Sequence, residues 1–216
     1  MARQRASALL VDLDGVLRRW DPEVAARVER SHGLRPGALY GTAMQWSLLE
    51  PAVIGQVSHA DWLAGVVDAL AGPAGGRENA EAAVAEWDAY RGAVDADVLA
   101  FVRSVRSGGV RVGLATNATD ALDADLTALG LVDEVDVVVN SAALGVPKPT
   151  REYFQQACQA LGALPERVLF VDDSDRSVRG ARAAGLFAYR WTGPGDVPYL
   201  RAALAPEASP PEDLGG

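Results

Sequence analysis

Hydrophobic and polar positions fall into two textures along the chain. Residues 8–11, 110–115, 135–139 and 168–171 are short, continuous apolar runs rich in Val, Leu and Ala, and Phe187–Arg190 reads as a fifth. Apolar runs without alternation suit strands that are covered on both faces, as in a parallel sheet. Between them the apolar period changes to that of a helix. Val98, Phe101, Val102 and Val105 make a stripe that Gly108 and Gly109 end; Leu122, Leu126 and Leu129 make one that stops at Gly130. Phe154, Ala157, Cys158 and Leu161 make a third, stopping at Gly162. Strands alternating with helices at this spacing predict an α/β fold: a doubly wound, Rossmann-like parallel sheet.

Residues 18–92 read differently, as helical throughout, and predict a small α-helical cap domain inserted in the core. Asp21, Pro22 and Glu23 form a helix start, with an N-cap, a proline at the first helical position and an acid near the positive helix end. Ser58 and Asp61 resemble a capping box. The helix behind them carries Trp62, Leu63, Val66, Val67 and Leu70 and is expected to end at Gly72-Pro73. A further helix carries Val84, Trp87 and Tyr90. These tryptophans are expected in the interior of the cap. The resulting division is a core of residues 1–17 and 93–204, a cap of 18–92 and a Pro/Glu/Gly-rich tail of 205–216, expected to be disordered.

Composition narrows the function. The net charge of −9 over 216 residues argues against a nucleic-acid or anionic-membrane binder, either of which needs a basic surface. The single cysteine, Cys158, excludes an internal disulfide and a cysteine-rich zinc site. No apolar run approaches the roughly 20 residues of a membrane span. Asp12 and Asp14 interrupt the apolar stretch behind the basic start, which makes it a poor signal peptide, and a cytoplasmic protein is expected. Of 20 Lys plus Arg, only Lys148 is a lysine.

The chemistry sits where the predicted strands end, which is where open α/β sheets bind ligands. Asp12 and Asp14 follow the first strand, two residues apart and so on one side of an extended backbone, with Gly15 permitting a sharp turn. Thr116 and Asn117 follow the second, offering a hydroxyl and an amide to an oxyanion. Asn117 also suits a turn, and Thr119 a helix cap. Lys148 follows the third, between Pro147 and Pro149; a loop lysine is ordinarily solvated, but a fixed one can hold a phosphoryl oxygen. Asp172 and Asp173 follow the fourth. Adjacent carboxylates there are explained by a nearby cation or as an N-cap pair for a helix beginning near Asp175.

The order of these groups, each after its own strand, resembles the haloacid dehalogenase superfamily of aspartate-nucleophile hydrolases, in the branch whose helical cap follows the first motif. The likeness covers nearly all of residues 8–190. It implies that Asp12 is the nucleophile, Asp14 the general acid/base, Thr116 the phosphate-holding hydroxyl with Asn117 beside it, and Lys148 the lysine of the family. Asp172 and Asp173 match its acidic metal motif, Asp173 being favoured as the direct ligand. Ser177 departs from the acid or Asn often found at its position. The resemblance implies Mg²⁺, held by the Asp12 carboxylate, the Asp14 backbone carbonyl and the Asp172-Asp173 pair, and a small phosphorylated metabolite as substrate.

The implied reaction is Mg²⁺-dependent hydrolysis of small phosphate monoesters through an aspartyl-phosphate. The dehalogenases of this superfamily lack an aspartate at the position of Asp14. Phosphonate cleavage needs a cap lysine, and here the sole lysine belongs to the core. A hexose-phosphate mutase would use the same core residues and is the nearest alternative; a catalytically silent binding or regulatory domain is another. Arg18, Arg19 and Trp20 lie near the expected hinge, and Gln45, Trp46, His59 and Trp62 are the cap candidates for choosing the substrate. His32 and His59 both fall in the cap, which leaves proton transfer in the core to aspartates.

Overall fold

The computed structural model describes residues 5–204, so the tail assigned to 205–216 lies outside the described residues. In chain order the elements are strand β1 (Ala8–Val11), the two-residue strand β2 (Arg18–Arg19), helices α1 (Pro22–Ser31), α2 (Ala38–Ala43), α3 (Trp46–Val53), α4 (His59–Leu70) and α5 (Arg77–Asp88), and the two-residue strand β3 (Ala93–Val94). Helix α6 (Ala96–Ser107) leads into β4 (Arg111–Thr116), α7 (Leu122–Ala128), β5 (Val137–Asn140), α8 (Ser141–Leu144), α9 (Arg151–Leu161), β6 (Val168–Asp172), α10 (Asp175–Ala183), β7 (Phe187–Arg190) and α11 (Val197–Ala203).

The long strands form a parallel five-stranded sheet in the order β5-β4-β1-β6-β7. The apolar runs are continuous because both faces are covered. Leu9, Val11, Val112, Leu114, Leu169 and Val171 pack toward Phe101 and Val102 of α6 and Leu122 of α7. The alternate residues Ala8, Leu10, Ala115, Val168 and Phe170 pack toward Phe154 and Ala157 of α9 and Ala181 of α10. Burying a side chain such as Phe170, which has no exposed surface, contributes about 1.5–3 kcal/mol. β1 lies at the centre, with β4 and β6 on either side, so the chain reverses its direction across the sheet there. A crevice opens at such a switch point beyond the carboxyl ends of the strands.

Helices α1–α5 enclose a separate apolar cluster that includes Val28, Leu39, Trp62, Val66, Leu70 and Val84. Their ends follow the sequence signals. Asp21 caps α1 through the Glu23 N–H, and Ser58 and Asp61 form a reciprocal capping box on α4. The cap rests on the core through named contacts. The Ser141 hydroxyl donates to the Val53 carbonyl at 2.7 Å, and the His59 N–H donates to Asp120 at 2.7 Å. Gly55 sits so close to Ala142 that a Cβ there would lie 2.3 Å from its carbonyl oxygen.

Several local expectations change. Residues 18–92 are not helical throughout: the two crossings between sheet and insert run side by side, and Arg18–Arg19 pairs antiparallel with Ala93–Val94, satisfying backbone groups that would otherwise lack partners. Helix α4 ends at Leu70, short of Gly72-Pro73, and α5 ends at Asp88, leaving Tyr90 beyond it. The second and third strands are shifted toward the carboxyl end, so Thr116 is the last residue of β4 and Val135 precedes β5. Ser174, not the Asp172-Asp173 pair, caps α10 by accepting from the Ser177 N–H.

Candidate active site

The carboxyl ends of β1, β4 and β6 and the loop after α8 meet in one cleft of about 490 Å³, lined by Asp12, Asp14, Thr116, Asn117, Lys148, Asp172 and Asp173. All seven residues singled out from the sequence therefore come together. Thr116 and Asp172 are terminal strand residues, so the hydrogen-bonded register of the sheet fixes their backbones.

Lys148 is not a solvated loop lysine. It is buried, with Nζ 2.8 Å from Asp12 Oδ1 and 2.7 Å from Asp172 Oδ2, above the Phe170 ring. Asn117 holds it there: the Lys148 N–H donates to Asn117 Oδ1 at 2.7 Å, and Asn117 Nδ2 donates back to the Lys148 carbonyl at 3.0 Å. Asn117 thus spends its amide on positioning the lysine. From the other side, α10 closes on Pro149, where a Cβ on Gly180 would lie 2.5 Å from the proline ring.

Two buried carboxylates share this one ammonium, so the site carries uncompensated negative charge. Burial, together with Asp172 and Asp14, pushes the Asp12 carboxyl well above the usual carboxylate range despite Lys148. Asp12, Asp172 and Asp173 offer oxygens that all lie within 4.8 Å of one another. Asp172 already has both oxygens engaged, Oδ2 by Lys148 and Oδ1 by the Ser174 N–H at 2.8 Å. Asp173 stands exposed against Gly15, where a Cβ would fall 2.2 Å from its Oδ2. Three close carboxylate oxygens with excess negative charge fit a hard divalent cation.

Thr116 is the complementary feature. Its hydroxyl is the one buried side-chain polar atom without a hydrogen-bond partner among the described residues. Buried polar groups are nearly always paired, and one left open inside a cleft is suited to a ligand oxygen. Asp14 sits at the rim. Arg18 grips both of its oxygens at 2.7 and 3.0 Å, and the Trp20 indole N–H donates to Oδ1 at 2.6 Å.

Tyr153, Asp125 and Arg91 carried no sequence signal, and the partners of Arg18 were not legible. Tyr153, fully buried in α9, donates to the carbonyls of Thr116 and Val139 and ties two strand ends together. Arg18 also reaches Asp125 at 2.8 Å, which in turn meets Arg91 at 3.4 Å. Only a long-range pairing unites these residues, and no local pattern announces it. Ser177, the departure noted in the sequence, lines the cleft and places a hydroxyl there. Of the remaining candidates, Arg19 turns away to Asp95, and His32 ties α1 to α5 through Asn79 and Glu86. Thr119 accepts the Ala121 N–H ahead of α7 rather than capping it, and also meets His59 Nδ1 at 3.0 Å.

Comparison with known proteins bears on this geometry. A family model of haloacid dehalogenase-like hydrolases matches residues 6–185. A phosphoglycolate phosphatase of Cupriavidus necator is 30% identical over 204 residues, 91% of this chain and 87% of that protein. A phosphoserine phosphatase of Thermus thermophilus is 34% identical over 145 residues, 66% of this chain. The match spans about half the length of that Thermus relative, 55%, and 44% of a phosphatase from Mycobacterium tuberculosis. Among solved structures, a haloacid dehalogenase family enzyme of Bacteroides thetaiotaomicron superposes with a TM-score of 0.70 at 20% identity, covering 87% of this chain and 94% of that one. The family match across most of the chain, a relative aligned over nearly its whole length and the shared fold agree: this chain belongs to the haloacid dehalogenase-like hydrolases.

Proposed function

We propose that the protein is a phosphatase that hydrolyses small phosphate monoesters, with Asp12 as the nucleophile. The observation that carries this reading is the unpartnered Thr116 hydroxyl, buried in the same cleft as Asp12 and Lys148. It is a donor for an oxyanion beside a carboxylate and a fixed cation. The names of relatives in Thermus and Cupriavidus, phosphoserine and phosphoglycolate phosphatases, support the same class of substrate.

Asp12 Oδ attacks phosphorus as the ester P–O bond breaks, forming an aspartyl-phosphate and splitting one difficult displacement into two easier ones. Lys148 and the Thr116 hydroxyl hold phosphoryl oxygens in attack geometry. Asp14 gives its proton to the leaving oxygen and then takes one from the water that attacks phosphorus. That second step releases inorganic phosphate and restores Asp12 as a carboxylate. Arg18 and Trp20 set where Asp14 waits. A divalent ion, Mg²⁺ given the hard oxygen donors, would be held by Asp12, Asp173 and the Asp14 carbonyl, and would offset the charge between nucleophile and phosphate. The Bacteroides structural relative was crystallised with magnesium and inorganic phosphate.

The test is phosphate release from a panel of small esters with Mg²⁺, with EDTA, and in Asp12→Asn. Turnover that needs the ion and disappears in a folded Asp12→Asn protein is expected. Turnover that survives the substitution would remove Asp12 from the reaction.

A further inference from the structure

Beside the catalytic cleft lies a second cavity, of about 330 Å³, between the cap and the core. That is within the range of about 300–1,000 Å³ typical of small-molecule pockets. The two spaces share Asp14, Trp20, Tyr40 and Asn117 as walls, so a group joined to a phosphate in the cleft extends into the cavity.

Two properties of this cavity restrict what it takes. The first is its aromatic lining. Trp20, Tyr40, Trp62, Trp87 and Tyr90 face it, four of them as edge-to-face pairs: Trp20 with Tyr90 at 5.8 Å and Trp62 with Trp87 at 6.1 Å between ring centroids. Trp20, Tyr40 and Met44 also remain markedly solvent-exposed at its mouth, where an apolar guest would cover them. The second is its charge. Its two guanidiniums are already matched: Arg18 holds Asp14 and Asp125, and Arg91 lies 2.9 Å from Asp88 and 3.4 Å from Asp125. With Asp21 added, four carboxylates face two cations. A leaving group bearing its own carboxylate would be buried among like charges with no free partner, which is costly. His59, also in the wall, has both ring nitrogens engaged, Nε2 by Asp88 and Nδ1 by Thr119, and so adds no free polar contact.

We infer that the cavity is a leaving-group subsite for a flat, apolar and uncharged alcohol, so that the preferred substrates are arylalkyl phosphates rather than carboxylated ones. This rests on the phosphatase reading above and goes beyond it by fixing the class of alcohol.

The experiment compares kcat/KM for benzyl phosphate, ethyl phosphate and phosphoglycolate with Mg²⁺ present. Benzyl phosphate is chosen because its leaving group is an aliphatic alcohol, so chemical reactivity does not favour it as it would a phenol. It is expected to exceed each of the others by at least about tenfold. Met44→Arg, which adds an unpaired cation at the mouth, should shift selectivity toward phosphoglycolate. Phosphoglycolate or ethyl phosphate turning over as well as benzyl phosphate would overturn the subsite while leaving the phosphatase intact. Hydrolysis of none of the three, and of no ester in the wider panel above, would overturn the phosphatase reading. Quenching of tryptophan fluorescence then decides the subsite: benzylphosphonate should quench where phosphonoacetate does not, and equal quenching, or none, rejects it.

Discussion

The cleft at the strand ends and the cavity beneath the cap share a wall yet are built in opposite ways. In the cleft, Asp12 and Asp172 divide one lysine, Asp173 adds a third carboxylate, and the Thr116 hydroxyl is left open. Its electrostatics are incomplete until an anion and a cation arrive. In the cavity, each arginine already meets two carboxylates, and the remaining wall is largely aromatic. Its charges are already matched, which leaves shape and apolar contact as the means of discrimination under the inference above. On the proposed reading the contrast separates two tasks: the cleft would bind the part common to phosphate esters, and the cavity would read the part that differs.

Removing Lys148 is the largest perturbation of that contrast. Lys148→Met leaves two buried carboxylates facing each other without their ammonium. The expected cost is about 3–5 kcal/mol in urea unfolding, since breaking a buried ion pair on one side strands the opposite charge. The turnover number should fall by roughly 10²–10³, the scale seen when one stabilising donor is removed from a site of developing charge. A loss of stability below about 1 kcal/mol would mean that water already reaches the pair, and the cleft would no longer be the charge-strained member of the comparison.

Gly15→Ala should act on the cleft alone and more mildly. The residue has φ +81°, and a Cβ would lie 2.2 Å from Asp173 Oδ2. Left-handed backbone costs a non-glycine residue about 1–2 kcal/mol. The carboxylate must also swing aside, so Mg²⁺ affinity measured by calorimetry should weaken by about tenfold, that is about 1.4 kcal/mol. Selectivity between benzyl phosphate and ethyl phosphate should stay as it is, because the cavity does not use Gly15. A changed selectivity with unchanged ion affinity would reverse the assignment of roles.

The same division explains what the sequence made legible. Asp12, Asp14, Thr116 and Asp172 stand at or just beyond continuous apolar runs that read as strands, and strand ends converge by topology, so local pattern located the cleft; Lys148 joins them from the loop after α8. Even there, Asn117 was legible as a residue type but not as the clamp on the Lys148 backbone, which requires two loops 31 residues apart to meet. The cavity was far less legible. Trp62 reads as helix interior and is buried, yet it also faces the cavity. Gln45 and Trp46 read as equal candidates, but Gln45 is the N-cap residue of α3, Trp46 is exposed to solvent, and neither lines the cavity. Arg18 and Arg19 are adjacent; their alternation on β2 buries one at the site and sends the other outward. A one-residue alternation inside a two-residue strand leaves no periodic signature to read.

The smallest expected effect tests whether the cap opens apart from the sheet. Asp88 accepts from His59 Nε2 at 2.9 Å and meets Arg91 at 2.9 Å. Burial pushes its carboxyl up, but the His59 bond and the Arg91 charge outweigh burial and hold it below its ordinary value. Because its folded-state value is depressed relative to the unfolded chain, its stabilisation is present above about pH 3.9 and is lost as the pH falls through the folded-state value. The site is partly open to solvent, so Asp88→Asn should cost only about 0.5–1 kcal/mol near neutral pH. The wild-type and variant curves should converge as the carboxylate protonates. Hydrogen exchange locates the loss: amides of α4 and α5 should lose protection while those of β1, β4 and β6 keep theirs, since local opening draws on the less stable part of a structure. Equal loss in sheet and cap would make them one cooperative unit, with the ion pairs from Asp88 through Arg91, Asp125 and Arg18 to Asp14 carrying the change into the cleft.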